Sequence, residues 1–467
     1  MTRHRAQAAY QQSLLQAAKL VQVTIRVPFE HPLLVLKRKL DWVTIRDVII
    51  KHLRAAGSNV DHGPGRPLDI DLYSLLIVLR LVLNLNARQM ERELSENVVA
   101  RIFVDQENAP DFQIRDHSNI DRVMNALGAA GIEELNRHFI KTAVECGFAD
   151  PIMVSGDTTA QELPIGYPNE PGILRGIAQR CLRSLNRLSQ KGKRMLQASK
   201  DHCKNILRKA KEHHLFAKTP ERKARILKSM MRQTRRLIAE VEKISQRLSG
   251  EKDRVVQSAA KRLSEMAEVS RKLLPQILYW MKTQTVAKGK IIHAGIQQAR
   301  AIVRNKAGKK VEFGLQQLIG MLGGGYIFMK MIEKPTGESK MIKKLVEAYR
   351  ENLGADKTPE MLVYDRGGWS DENVEWLEKE GVEKIAIQPK GRAQWQVGEE
   401  DRQIAMSERG KTEGVIGTLK SEKYKLNKPK ARKIATLQAA GQRSASSFNL
   451  QKLMKDLNRT KSAKLIA

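Results

Sequence analysis

The chain has 467 residues, enough for roughly two to four domains of about 150 residues each. Its 83 Lys and Arg outnumber 51 Asp and Glu, a formal net charge of +32, so a polyanion is the expected partner and nucleic acid the first candidate. The three cysteines, Cys146, Cys181 and Cys203, form no close pair, which argues against a disulfide framework or a thiolate zinc site; no apolar run reaches the roughly 18 residues of a membrane span. The opening MTRHRAQAAYQQ lacks the apolar stretch of a signal peptide. The expectation is a cytoplasmic, nucleoid-associated protein with no membrane contact.

Residues 1–61 read as mixed helix and loop. The turn-rich segment from His62 to Pro67 opens a second unit, 62–145. From Asp69, Leu72, Leu75, Leu76, Leu79, Val82 and Leu83 recur at spacings of three and four and predict a helix. A second helix covers Asn86–Leu94. A third starts near Asp116 or Ser118, with Ile120, Val123, Met124 and Leu127 as its apolar stripe. Short helices with Arg88, Arg92, Arg115 and Arg122 near their turns suit helix-turn-helix docking on DNA, although a purely structural bundle has the same pattern.

Residues 146–170 hold a short apolar strand, Ile152-Met153-Val154, followed by a loop carrying Asp157. Residues 171–300 are helical. Ile173, Leu174, Ile177, Cys181, Leu182, Leu185 and Leu188 form one stripe, Ile226 to Leu248 a second and Val255 to Ile277 a third. Between 171 and 250 there are 22 Lys or Arg against 5 Asp or Glu, so the outer faces are basic and phosphate contact is favoured over simple solvation. From Lys309, a strand, three glycines (Gly323 to Gly325) and a second strand predict a hairpin. A helix over 338–352, a strand Met361–Tyr364 ending in Asp365, a helix capped by Ser370, a strand Lys384–Ile387 and a helix bearing Arg409, Glu413 and Lys420 complete 301–440. Residues 441–467 form a basic C-terminal helix or tail. This order predicts a mixed α/β fold: an RNase H-like core, a helical DNA-binding region before it, and a long all-helical insertion between its first strand and the hairpin.

Cleaving and transferring phosphodiesters requires activating one oxygen and stabilising another, and two metal ions do both. Magnesium prefers oxygen ligands, so carboxylates from converging elements are natural holders, with manganese as a substitute. Asp157 and Asp365 each follow an apolar strand, and adjacent strands would set them side by side; a strand-end Asp is equally a common turn or helix cap. In SERGKTEGVIGTLKSEKYK, Arg409, Glu413 and Lys420 lie within roughly 40° of one helix face. On its own that spacing also suits i,i+4 salt pairing. Glu408 projects about 140° from Glu413, so the two would not face one site together.

The pattern Arg409-x3-Glu413-x6-Lys420 resembles the signature of bacterial insertion-sequence DDE transposases. SGDTTAQELPIGYPNEPGIL, IVRNKAGKKVEFG and VYDRGG resemble the family's other blocks in the same order, and the helices after GRPLDIDLY resemble its DNA-binding region. The family usually places a Tyr three residues before the Arg; Met406 stands there. The resemblance implies strand cleavage at the ends of an insertion sequence, then strand transfer. Asp157, Asp365 and Glu413 would hold two magnesium ions, and Arg409 and Lys420 would contact phosphate. The implied partners are double-stranded DNA, as terminal inverted repeats and target, and a second copy in a homodimer on DNA. Two other readings stay open: a DNA-binding protein derived from a transposase without its activity, and an RNase H-like nuclease or resolvase.

Overall fold

A six-stranded mixed sheet organises the computed structural model, which describes residues 27–60, 68–107, 117–188, 193–303, 311–333, 337–391, 393–431 and 433–466. Its strands are β1 (Asp150–Glu162), β2 (Arg300–Val303), β3 (Val311–Gly323), β4 (Ile327–Ile332), β5 (Met361–Tyr364) and β6 (Lys384–Ile387). β1 pairs antiparallel with β3 on one edge and parallel with β5 on the other, and β6 continues parallel to β5. β2 and β4 share the far edge of β3, β2 opposite residues 311–314 and β4 opposite 316–321. The hairpin turns through Gly324 and Gly325, at φ 82° and 86°, values that favour glycine.

The sequence ends the first strand at Val154 and places Asp157 in a loop. The strand in fact runs on to Glu162, with Asp157 inside it, paired to Ile319. Its second half is polar, which hides it from an apolar pattern. Thr158, Thr159 and Gln161 are nevertheless buried, and Gln161 is satisfied there: its Oε1 accepts from Gln317 Nε2 at 2.8 Å and its Nε2 donates to the Leu437 carbonyl at 3.1 Å.

The N-terminal helices are α1 (Pro32–Lys39), α2 (Trp42–Ala55), α3 (Ile70–Leu83), α4 (Ala87–Glu96), α5 (Val98–Phe103) and α6 (His117–Glu145). Asp69 caps α3 and Asn86 caps α4 with a full capping box. Gly128, at φ 65°, breaks α6. These helices share one continuous apolar core with the sheet. The helical segment after β1 has its own core: α7 (Glu170–Arg187), α8 (Lys193–Leu215), α9 (Pro220–Arg247) and α10 (Arg254–Thr283) bury Leu185, Ile206, Met230, Leu263 and Leu273 together. Asn169, Thr219 and Asp253 cap α7, α9 and α10.

The remaining helices are α11 (Met341–Leu353), α12 (Asp371–Lys379, capped by Ser370), α13 (Glu399–Lys420) and α14 (Ile434–Ile466). α11 joins the core shared with the N-terminal helices, while α13 packs on the opposite face, Ala405 against Met361, Val363 and Ala386. α14 places Leu450 in the first core and Ala445 in a smaller one with Ile319 and Leu419. The fold is mixed α/β, with a block of four helices, ending at Thr283, between β1 and the hairpin; the helical stretch expected over 171–300 stops short, and residues 284–299 are turns and irregular chain. The short β2, which the sequence does not announce, precedes that hairpin. Among the described residues no single helix is long and apolar enough to cross a membrane. The turn-rich segment 62–67, Arg115, Asp116 and Lys309 lie outside the described residues.

Candidate active site at the ends of the parallel strands

The β1–β5 ladder closes on the pair Gly156–Tyr364, so Asp157 and Asp365 are the next residues on two neighbouring parallel strands, about 5 Å apart. Alternation fixes their side. Ser155 faces α13, where its Oγ accepts from Thr412 Oγ1 at 2.8 Å, so Asp157 projects to that same face. Met361 and Val363 of β5 also face α13, and extended backbone at Asp365 (φ −75°, ψ 174°) continues the alternation. Both carboxylates are half-buried. Asp157 Oδ1 accepts from the Thr158 amide at 2.6 Å and Asp365 Oδ1 from the Gly367 amide at 2.9 Å.

The glycines flanking the two acids are required by close packing. A Cβ on Gly156 would overlap Leu345 and stand 2.9 Å from the Tyr364 ring. One on Gly368 would lie 2.6 Å from the same ring, and one on Gly367 would overlap the Glu338 carboxylate. Tyr364 is therefore wedged between two bare backbones. Burial raises its phenol far above the ordinary range, and the charges of Asp157, Asp365 and Glu338 add to that shift. The turn after Asp365 is clamped from two sides. Lys390 Nζ donates to the Trp369 carbonyl at 3.1 Å, and Asn373 Nδ2 donates to the carbonyls of Ser339 and Gly368 at 2.8 Å.

α13 runs beside β6 in the same direction. Lys384 pairs with Asp401 at 3.1 Å near one end, and Arg409 Nη1 donates to Gln388 Oε1 at 2.7 Å near the other. The Gln388 amide donates to the Tyr364 carbonyl at 3.3 Å, which sets Arg409 close to the strand end that carries Asp365. Ala405, Glu408, Thr412 and Leu419 form the buried face of the helix. Glu408, the rival acid, is 6% exposed and paired with Lys411. Glu413 is exposed on the rim one turn beyond Arg409. Lys420 reaches Glu312 of β3 at 3.4 Å. The fold thus brings Asp157 and Asp365 together and leaves Glu413 on the adjoining helix; among the described residues no three of His, Cys, Asp and Glu form a ready metal cage. The pair offers only carboxylate oxygens, a donor set that suits a hard divalent cation. Sequence reasoning missed Glu338, Tyr364 and Lys390; the glycines of VYDRGG were the one visible sign of a tightly packed turn.

No protein-family model, curated protein or solved structure matches this chain.

In the N-terminal region, Arg92 pairs with Glu96 at 2.9 Å, Arg88 Nε lies 3.4 Å from His117 Nε2, and Arg122 reaches Ser118 Oγ at 3.5 Å. Arg80 of α3 pairs with Asp121 of α6 at 2.7 Å and ties those helices together. In the helical segment after β1, Lys204, Arg208, Arg225, Lys228, Arg232, Arg235 and Arg236 all lie exposed on the outer faces of α8 and α9.

Proposed function

We propose that the chain is a metal-dependent DNA strand-cleaving and strand-joining enzyme of the DDE transposase type, built on an RNase H-like core. The observation that carries this reading is the placement of Asp157 and Asp365 as successive neighbours at the ends of two parallel strands, with the helix bearing Arg409 and Glu413 laid across them. The strand order β4-β3-β1-β5-β6, with the first three antiparallel and the last two parallel to β1, supports such a core.

In this reading Asp157 and Asp365 hold magnesium, and Glu413 completes the set from the rim of α13. Bound metal would supply charge stabilisation for the attacking and leaving oxygens. Arg409, held by Gln388, places a cation next to the carboxylate pair, where it would steady a DNA phosphate. Lys390 and Asn373 fix the turn that orients Asp365. The substrates would be terminal inverted repeats and target DNA, handled by a homodimer, with the basic faces of α8 and α9 gripping phosphates. The test is nicking of labelled end DNA with magnesium, paired with manganese binding followed by electron paramagnetic resonance. Loss of both in Asp157→Asn and Asp365→Asn is expected; full nicking in either variant removes that residue from the site.

The exposure of Glu413 favours a second reading, a DNA-binding protein that no longer cuts. Manganese binding without nicking in the wild-type protein would select it.

A further inference from the structure

A cleft of about 580 Å³ opens where the helical segment after β1 meets the sheet. Four separate pieces of chain build it. Pro164 and Ile165 come directly after β1, Arg180 and Arg183 from α7, His293 and Ile296 from the segment after α10, and Lys430 from the loop after α13. Among the described residues that line it none is acidic, while two guanidinium groups, one ammonium and one imidazole face it.

The donors are organised. Arg180 lies directly on the backbone of Gly295, so that a Cβ there would overlap its guanidinium. His293 Nδ1 accepts from the Gly295 amide at 3.3 Å. Burial, and then the charge of Arg180, hold the His293 imidazole below its usual range, so the ring is neutral at neutral pH. With Nδ1 accepting, the ring proton sits on Nε2, which makes His293 a fourth donor. Gln179 also lines the cleft, and its amide both donates and accepts, so a lining rich in donors and positive charge suits a group that offers acceptors and negative charge, as phosphate does.

Position decides which phosphate. The first residue to line the cleft, Pro164, lies seven residues beyond Asp157, at most about 23 Å along the chain. A duplex lying along that line advances about 3.4 Å per base pair, so the cleft stands within roughly seven steps of the carboxylate pair.

We propose that this cleft seats a backbone phosphodiester of duplex DNA and so makes the junction between sheet and helical segment part of the DNA path. The inference rests on the DNA-enzyme reading and deepens it by naming a discrete phosphate seat. It uses residues outside the carboxylate site.

The test uses the full chain and a 40-base-pair duplex of random sequence, with binding measured across a range of salt concentrations. Arg183 and Lys430 are exposed, so Arg183→Gln/Lys430→Gln keeps the fold; an unchanged melting temperature verifies this. Losing the one seated phosphate should flatten the log–log salt slope by about 0.9. Wild-type binding with an equal slope in the double variant overturns this inference alone. No wild-type binding at any salt overturns the DNA reading and this inference with it. Inorganic phosphate is the second probe. If it raises the melting temperature of the wild type but not of the double variant, and the DNA slope is unchanged, the cleft is a free-phosphate site and the diester assignment is overturned.

Discussion

Asp157 stands at the point where β1 loses one neighbour and keeps the other, since the β5 ladder ends at Gly156 while the β3 ladder runs on to Glu162. A carboxylate there has paired backbone on one side and, on the other, the chain that leaves β5 through Asp365. Two glutamates on α13 then compete for the third place, and their environments separate them. Glu408 is buried and paired with Lys411; Glu413 is exposed. Glu413→Gln should cut nicking by at least about a hundredfold with an unchanged melting temperature. Glu408→Gln should cost about 1–2 kcal/mol in urea denaturation and leave nicking largely intact. The reverse result would move the catalytic role to Glu408. Gly156 gives a steric prediction: Gly156→Ala must displace Leu345 and the Tyr364 ring, costing about 1–3 kcal/mol, and a stability equal to wild type in urea would mean the wedge is loose.

At the scale of elements, the legible parts of the chain were those with one clear period. The strands β5 and β6 are short apolar runs, and the stripes of α7, α9 and α10 fill one core as their spacing predicts, except that Val255 is exposed. α8 falls within the stretch expected to be helical, but its apolar stripe was not picked out because its buried residues, Leu196, Cys203, Ile206 and Ala210, are sparse between cations. The polar half of β1 was missed because its glutamine is satisfied by a partner far along the chain. Of the candidate site, Asp157, Asp365 and the Arg409–Glu413 helix were visible in sequence, whereas Glu338 and Lys390 were not, since each acts only through a tertiary contact. The basic faces of α8 and α9 carry a further prediction. Arg232→Gln/Arg235→Gln/Arg236→Gln should weaken DNA binding and flatten its salt slope by about 0.9 per lost contact, and an unchanged slope would assign these faces to packing or assembly instead. The same core shields two thiols. Burial pushes Cys203 up to about 12 and Cys181 still higher. Unfolded thiols ionise from near pH 9 while the native ones stay protonated, so stability should fall as pH rises from about 9 toward 12. An alkaline urea series measures this, and a flat profile in the cysteine-to-alanine double variant of Cys181 and Cys203 would assign the loss to them.

Across the whole molecule, apolar burial divides unevenly. The helices α1–α6 share their core with the sheet, α11 and α14, so α3–α6 are continuous with the sheet in their packing. The polar link between Asn136 of α6 and Asn449 of α14, at 2.9 Å, lies inside that shared interior. By contrast α7–α10 close on themselves, joined to the sheet through a small cluster of Leu163, Ile292, Ile296 and Leu315 at the neck. Separate cores tend to unfold as separate cooperative units, the smaller connection giving way first. Tryptophan placement allows a direct measurement. Trp280 packs against the α7–α10 core, and Trp42, Trp369 and Trp376 belong to the shared one. A variant keeping only Trp280 and another keeping only Trp369 should show different urea midpoints by fluorescence, because each reports its own core. Coincident midpoints and slopes would mean that the neck couples the two cores into one two-state unit. DNA bridging the neck should bring the two midpoints closer, since a ligand that binds only when both units are folded stabilises them together.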